Sequence, residues 1–307
     1  MFEGKRIVVV TPAGRERYLR LLAAHVLSSP LVDEWHLWLN TRDDGDLAFM
    51  AALSRRHPRV RLIAPPLLEP NGNGTIGQFF RTATDSDTVY VRMDDDVVWL
   101  EPDFFARFLI QRLGDREPLM MHPLTINNAA CSFLLKQLRL LEISVPLTPW
   151  CLDPIGWRSD RFAEVLHRWF LDKMRAGDFT GLRFGNVTTA LARVSINCIA
   201  WFGEDLQPDG GVFPDGVDEE EYCSVTLPLL RGRCNRITGQ AVLAHYAFAP
   251  QRAALDQTDL LARYAELAPE IELPPAGPIV LPSQLAGQST GPAPTTAATP
   301  ARTSVLT

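Results

Sequence analysis

Residues 88–100 read Thr-Val-Tyr-Val-Arg-Met-Asp-Asp-Asp-Val-Val-Trp-Leu. The run 89–93 predicts a buried strand, and it ends in three consecutive carboxylates, Asp94, Asp95 and Asp96. Three acids at the mouth of a buried strand repel one another and lose hydration, a cost that a cation or converging hydrogen bonds must offset. A hard divalent ion accepts oxygen ligands of this kind, and two carboxylates plus substrate phosphates are a usual setting for Mg2+ or Mn2+. In open α/β sheets the ligand lies beyond the carboxyl ends of the strands, where these acids fall. The stretch therefore reads as a metal–phosphate site. The other reading it leaves open is an Asp-rich turn, or the N-cap region of a following helix.

Upstream of this stretch the pattern is regular. Short apolar runs at 6–10, 34–39 and 60–64 read as buried parallel strands. Apolar residues at helical spacing fill 15–27, a second helix ends near Arg56, and a short one covers 76–84 after a Pro/Gly-rich loop at 65–74. The order β-α-β-α-β-α-β predicts an α/β fold, a Rossmann-type, mostly parallel sheet flanked by helices on both faces. Downstream, Glu101-Pro102-Asp103 opens a helix, and 119–123 is a fifth strand. Residues 124–130 read as polar loop, 131–140 and 161–175 as helices, and 196–202 as a strand. A glycine-rich loop at 203–216 reads as flexible and able to close over a substrate. A helix at 218–230, a strand at 240–249 and a helix at 255–267 complete a single domain. Residues 269–307 are rich in Pro, Ala and Thr and bury too little to offset their ordering entropy, so a disordered tail is expected there.

The whole chain narrows the function classes. Its 307 residues are 46% hydrophobic and 21% charged, an ordinary globular balance. A net charge of −6 argues against an electrostatic nucleic-acid binder. The five cysteines are scattered without a C-x-x-C pair, so neither a disulfide frame nor a zinc site is indicated. The first residues do not read as a signal peptide, and no apolar run approaches the roughly 20 residues of a transmembrane segment. A reducing, cytoplasmic setting is expected, and peripheral attachment at the inner membrane face is compatible with it.

Residues 5–265 resemble the GT-A-fold glycosyltransferases, nucleotide-sugar-dependent and family-2-like. The resemblance is carried by the strand and loop at 6–11, the strand with its acids at 89–96, the late cluster Asp218-Glu219-Glu220-Glu221, and His245 near the end of the fold. It implies a nucleotide-sugar-binding half, 1–123, and an acceptor-binding, catalytic half of the same domain, 124–268. Asp94-Asp95-Asp96 then stands as the Asp-x-Asp motif. Asp96 ligates a divalent ion, Mn2+ or Mg2+, while Asp94 shares the metal or faces the ribose. Asp95 is the alternative donor-binding member. His245 becomes the third metal ligand; a neutral imidazole suits Mn2+ better than Mg2+. Of the late cluster, Glu219 corresponds to the base that takes the acceptor hydroxyl's proton, with Asp218 second, unless these acids only cap a helix. Thr11 and Arg15 after the first strand, Asp43 or Asp44 after the second, and Arg81 and Arg92 beside the acid motif are the donor-binding candidates. The implied activity is hexosyl transfer from a nucleotide diphosphate sugar to a glycan or other hydroxyl acceptor, inverting if a carboxylate acts as base.

Three other functions compete. Asp94-Asp95-Asp96-Val97-Val98 also satisfies the signature of haloacid-dehalogenase-like phosphatases, with Asp94 as nucleophile and Asp96 as acid–base. That motif belongs on a first strand, however, and three strands precede it here. Past Lys136, Lys173 is the only lysine to supply the later cation. A nucleotidyltransferase needs a Gly-rich, basic loop after its first strand, which 11–17 supplies weakly. A non-catalytic sugar-nucleotide-binding protein is the third alternative.

Overall fold

The computed structural model describes residues 1–275. Strand β1 (Arg6–Ala13) is buried on both faces because Ile7 to Val10 are all apolar. Ile7 and Val9 pack with Leu19, Leu22 and Val26 of helix α1 (Glu16–Ser28). Val8 and Val10 point the other way, into a cluster with Trp38, Phe79, Phe80 and Trp201. This two-sided burial follows from the period-2 alternation of a strand. Strand β2 (Glu34–Leu39), helix α2 (Asp44–Arg56) and strand β3 (Val60–Ile63) follow, and then β4 (Thr88–Met93). β1 pairs in parallel with both β2 and β4, and β2 with β3. This is the Rossmann-type half expected from the sequence.

The second half departs from the simple pattern. Val97–Leu100 form a strand, β5, and not the lead-in to a helix. The three acids therefore occupy the turn between two buried strands. β6 (Met121–Ile126), β7 (Asn186–Thr188), β8 (Cys198–Phe202) and β9 (Arg236–His245) complete the sheet, whose order is β3-β2-β1-β4-β8-β6-β9-β5, with β7 on β9. β6 starts later than its apolar run suggests and continues through the polar-looking Leu124-Thr125-Ile126; its register shifts beside Pro123, as a proline inside a sheet requires. β1, β2, β3, β4, β6 and β9 run one way, and β5, β7 and β8 the other. The fold is thus α/β with a mostly parallel sheet flanked by helices.

This topology collects one set of chain ends. The carboxyl ends of β1, β4, β6 and β9 lie at the same edge as the amino ends of the antiparallel β5 and β8. Gly14, the three acids, Asn127, Asn197 and His245 are the residues at those ends.

Two segments differ from their sequence reading in ways that matter below. The loop at 203–216 is pinned: Phe213 is buried and stacked on Phe80, and Asp205 pairs with Arg233 and with Arg112. Of the expected helix at 218–230, only Glu219–Glu221 and Leu227–Arg231 are α-helical, joined by a π turn at Tyr222–Thr226. Pro228 has no N–H to return to the preceding turn, and the Cys223 carbonyl is taken up by Asn235 Nδ2 at 2.9 Å. The helix expected over 255–267 is confined to Leu260–Ala265, and a separate short helix, Ala249–Leu255, precedes it; β9 spans Arg236–His245 where the sequence predicts a strand over 240–249. Of the segment read as a tail, 276–307 lies outside the described residues. In 269–275, Ile271 and Leu273 pack on the core beside α1 and α2, and the Pro274 carbonyl accepts from Arg20 at 2.6 Å.

Candidate active site

A cavity of about 630 Å3 opens at the edge where those strand ends gather. Asp94, Asp95, Asp96, Arg15, His245, Asp218 and Glu219 all line it. The middle acid is not free for a ligand. Asp95 is 2% exposed, receives Gly14 N–H at 2.9 Å and Arg15 Nε at 2.9 Å, and so ties the loop after β1 to the end of β4. The outer two face the cavity differently. Asp94 is half-buried, with Arg92 at 3.0 Å and Asn197 Nδ2 donating at 3.1 Å. Asp96 is buried, with Arg15 at 2.9 Å, Arg252 at 3.4 Å and His245 Nε2 at 3.3 Å. Burial works against ionisation of Asp96, but the charges beside it more than offset this, Arg15 first, then His245 when it carries a second proton, and Arg252, and they hold the carboxyl well below the usual range.

Asp94, Asp96 and His245 each offer a ligand atom, and the three atoms lie within 4.8 Å of one another. The donor chemistry fits a divalent cation. His245 Nδ1 bonds to the Asn127 carbonyl at 3.2 Å, which makes Nδ1 the protonated nitrogen and leaves the Nε2 lone pair facing Asp96 Oδ1. That oxygen is buried and makes no hydrogen bond. Two acceptors face each other across 3.3 Å, an arrangement that a cation between them, or a proton on His245, resolves.

Asp218 and Glu219, which also line the cavity, part company. Asp218 caps its helix by accepting from Glu221 N–H at 3.0 Å, pairs with Arg193 at 2.9 Å, and is half exposed. Glu219 is 7% exposed. Its Oε1 accepts from Arg92 at 2.8 Å, while Oε2 has no partner. Burial pushes its carboxyl up to about 7, with Arg92 pulling in the opposite direction and Asp94 adding to the rise. A carboxyl poised near neutrality, with one unpaired and buried oxygen on a residue that lines the cavity, suits proton transfer.

Four of the sequence candidates, Thr11, Asp43, Asp44 and Arg81, do not line this cavity. Thr11 is fully buried and accepts from Trp35 Nε1 at 3.0 Å. Asp43 caps α2, accepting from Asp46 N–H at 2.9 Å. Arg81 lies on the segment Gly77–Thr82 and does not line the cavity. Arg92, read as a balance for diphosphate, is wholly internal and bridges Asp94 to Glu219. Sequence reasoning passed over Asn127, Asn197, Arg193 and Arg252, all of which bear on the site. None belongs to a motif that would single it out in the sequence; only the meeting of β8 and β9 with β4 and β6 brings them together.

No protein-family model matches the chain, and no curated protein matches it. Solved structures resemble it in fold at low identity. GalNAc-T7 with UDP, GalNAc and Mn2+ is 13% identical with a TM-score of 0.45, over 80% of this chain and 44% of that one, so this chain spans less than half its length. A CMP:2-keto-3-deoxy-manno-octonic acid synthetase complexed with CTP is 13% identical, TM-score 0.45, over 86% of this chain and 100% of that one. The 4-diphosphocytidyl-2C-methyl-D-erythritol synthase from Anaerococcus prevotii DSM 20548 is 11% identical, TM-score 0.41, over 86% and 97%. These neighbours have GT-A glycosyltransferase and nucleotidyltransferase folds.

Proposed function

We propose that the protein is a divalent-metal-dependent glycosyltransferase that moves a sugar from a nucleotide diphosphate sugar to an acceptor hydroxyl with inversion. One observation carries the reading: a buried glutamate with a free oxygen, Glu219, shares a cavity with the Asp94–Asp96–His245 group. About 630 Å3 suits a nucleotide sugar, since small-molecule sites run from roughly 300 to 1,000 Å3.

Asp94, Asp96 and His245 would hold the ion, which when bound neutralises the charge of a leaving diphosphate. Arg252 flanks Asp96 at 3.4 Å and lines the same cavity, so it offers further positive charge to the phosphates. Glu219 Oε2 takes the acceptor hydroxyl's proton as the acceptor oxygen bonds to the anomeric carbon. The bond from that carbon to the diphosphate oxygen breaks, and the electron pair leaves with the nucleoside diphosphate. Arg92 on Oε1 keeps Glu219 ionised enough to accept the proton. Leu152, Trp157 and Phe248 give the cavity an apolar wall suited to a sugar ring.

The geometry disfavours the rivals. Among the described residues no lysine lines the cavity, as a phosphatase of the haloacid-dehalogenase type requires. Arg15 is engaged by Asp95 and Asp96, which leaves the loop after β1 without a free cation for the triphosphate of a nucleotidyltransferase substrate. The test is a melting-temperature panel of nucleoside diphosphates and nucleotide sugars, with and without Mn2+, followed by product analysis with the best donor. A ligand that binds only the folded state raises the melting temperature by mass action. The reading requires an upward shift that depends on Mn2+ and on Asp96. If no nucleotide shifts the transition with metal present, the donor site is wrong.

A further inference from the structure

Two consecutive residues just past β6, Asn127 and Asn128, reach the metal-ligand group by separate routes. The Asn127 carbonyl accepts from His245 Nδ1 and so fixes which imidazole nitrogen carries the lone pair toward Asp96. The Asn128 amide works through one intermediary. Its Nδ2 donates to Asn197 Oδ1 at 2.9 Å and to the Ser195 carbonyl at 3.1 Å, and Asn197 Nδ2 donates to Asp94 Oδ2 at 3.1 Å. The other end of the same amide, Oδ1, accepts Cys131 N–H at 3.2 Å and caps the helix Ala129–Gln137.

Both asparagines are buried, at 0% and 2% exposure. Asn127 has φ of 60°, in the left-handed region that residues other than glycine enter at a cost. Its own amide locks that conformation, with Nδ2 donating to the Tyr246 carbonyl at 2.8 Å and to Gln251 Oε1 at 2.9 Å. The helix cap needs only Asn128. The unusual backbone at Asn127 has a different effect: it allows one short segment to present a carbonyl to His245 and an amide to the Asn197–Asp94 pair.

We infer that Asn127 and Asn128 form a positioning unit for the divalent ion, orienting His245 from one side and Asp94 from the other; this rests on the metal-site reading given above. Partners that orient a ligand in this way typically alter metal affinity by 10–100-fold when removed. Two buried amides that only satisfied each other's neighbours would change stability and leave ion affinity unchanged.

The test is Mn2+ affinity, read by electron paramagnetic resonance of the free ion, alone and with ADP, CDP, GDP and UDP in turn, on folded protein below its melting temperature. Asn128→Ser keeps a capping oxygen but removes the Nδ2 donor. Asn127→Gly keeps the left-handed backbone and the carbonyl but removes the amide that locks it. Each is expected to weaken Mn2+ binding by about 10–100-fold. Ser159→Ala removes a cap from another helix, Phe162 N–H to Ser159 Oγ at 3.1 Å, and is expected to lower the melting temperature with Mn2+ affinity intact. Asn197→Ser cuts the same link to Asp94 without touching a cap, and replaces Asn128→Ser if that variant does not fold. Wild-type Mn2+ affinity in Asn128→Ser or Asn197→Ser together with Asn127→Gly overturns the positioning role and leaves the metal site standing. Absence of Mn2+ binding in the wild type, or undiminished binding in Asp96→Asn, overturns the metal site and the positioning role with it.

Discussion

Arg92 donates to Glu219 Oε1 at 2.8 Å from within β4, so a residue of the buried sheet holds an acid that lies 127 residues further along the chain. The same guanidinium sits 3.0 Å from Asp94 and also reaches the Ile196 carbonyl. An arginine this deep is tolerable only because its charge is paired on two sides. Removing it leaves Glu219 buried without a partner. Arg92→Met is expected to destabilise the fold by about 3–5 kcal/mol. Denaturant melts compared at equal slope check this, and a change below roughly 1 kcal/mol would mean the pair is not the anchor described.

Glu219→Gln preserves shape and keeps an oxygen for Arg92 but cannot accept a proton. Turnover is expected to fall by about 10²–10⁴-fold, the usual worth of general base catalysis. The Mn2+-dependent thermal shift with donor nucleotide is expected to persist, because Glu219 is not one of the three residues whose ligand atoms lie together, and glutamine keeps the oxygen that Arg92 needs beside Asp94. Turnover within threefold of wild type would remove Glu219 from the reaction.

The pH dependence follows from the same carboxyl. Burial raises it to about 7, so the base form accumulates as pH rises through that value, and the rate with saturating donor should climb with an apparent pKa near 7. Stability moves the opposite way. Between about pH 4.5 and 7 the folded state holds a proton at Glu219 that the unfolded chain has lost, so stability from this group declines as pH rises across the window. Glu219→Gln should abolish the rate limb and flatten the stability slope. Melting curves at pH 5 and pH 7 on both proteins decide the second point.

Asp96→Asn and His245→Ala each remove one ligand atom from the three that lie together. Either change should cost at least tenfold in Mn2+ affinity. Adding a chelator to wild-type protein should erase the nucleotide-induced melting shift, and restoring Mn2+ should return it. A shift that survives chelation would mean the phosphates are held by arginines alone.

Gly211 offers a test of the fold independent of chemistry. It has φ of 65°, and a Cβ there would lie 2.4 Å from the Phe80 carbonyl oxygen. Gly211→Ala is expected to destabilise by about 1–3 kcal/mol, from strain and displaced backbone together. At roughly 2–4 °C per kcal/mol for a chain this size, the melting temperature should drop measurably. An unchanged value would show that the 203–216 loop is not pinned against Phe80.

The sequence was most legible where burial writes a continuous pattern. β1, β2, β3 and β4 are apolar runs with clear ends, and their parallel order could be read without tertiary information. β5 was not legible because four apolar residues between three acids and Glu101-Pro102 look like the approach to a helix; only pairing with β9 makes them a strand. At the site, the three acids and His245 carried their own signal as charge or imidazole at the end of an apolar run, whereas Glu219, inside an acidic run, was singled out only by the resemblance. Arg92 misled because a cation beside the acid motif suggests a partner for diphosphate, whereas it pairs with Asp94 two residues on and with the Ile196 carbonyl and Glu219, 104 and 127 residues away. Asn127 and Asn128 look like ordinary loop polarity until β6 is seen to end beside β8 and β9.

The π turn at Tyr222–Thr226 has a consequence for anyone engineering this chain. It holds one residue more per turn than an α-helix, directly after the segment that carries Glu219. Deleting a single residue there would let the helix run in regular register and would rotate its first turn by about 100° relative to the rest. Glu219 would then swing off the cavity wall, while Pro228, which has no N–H, would still leave a carbonyl of the preceding turn without a helical partner.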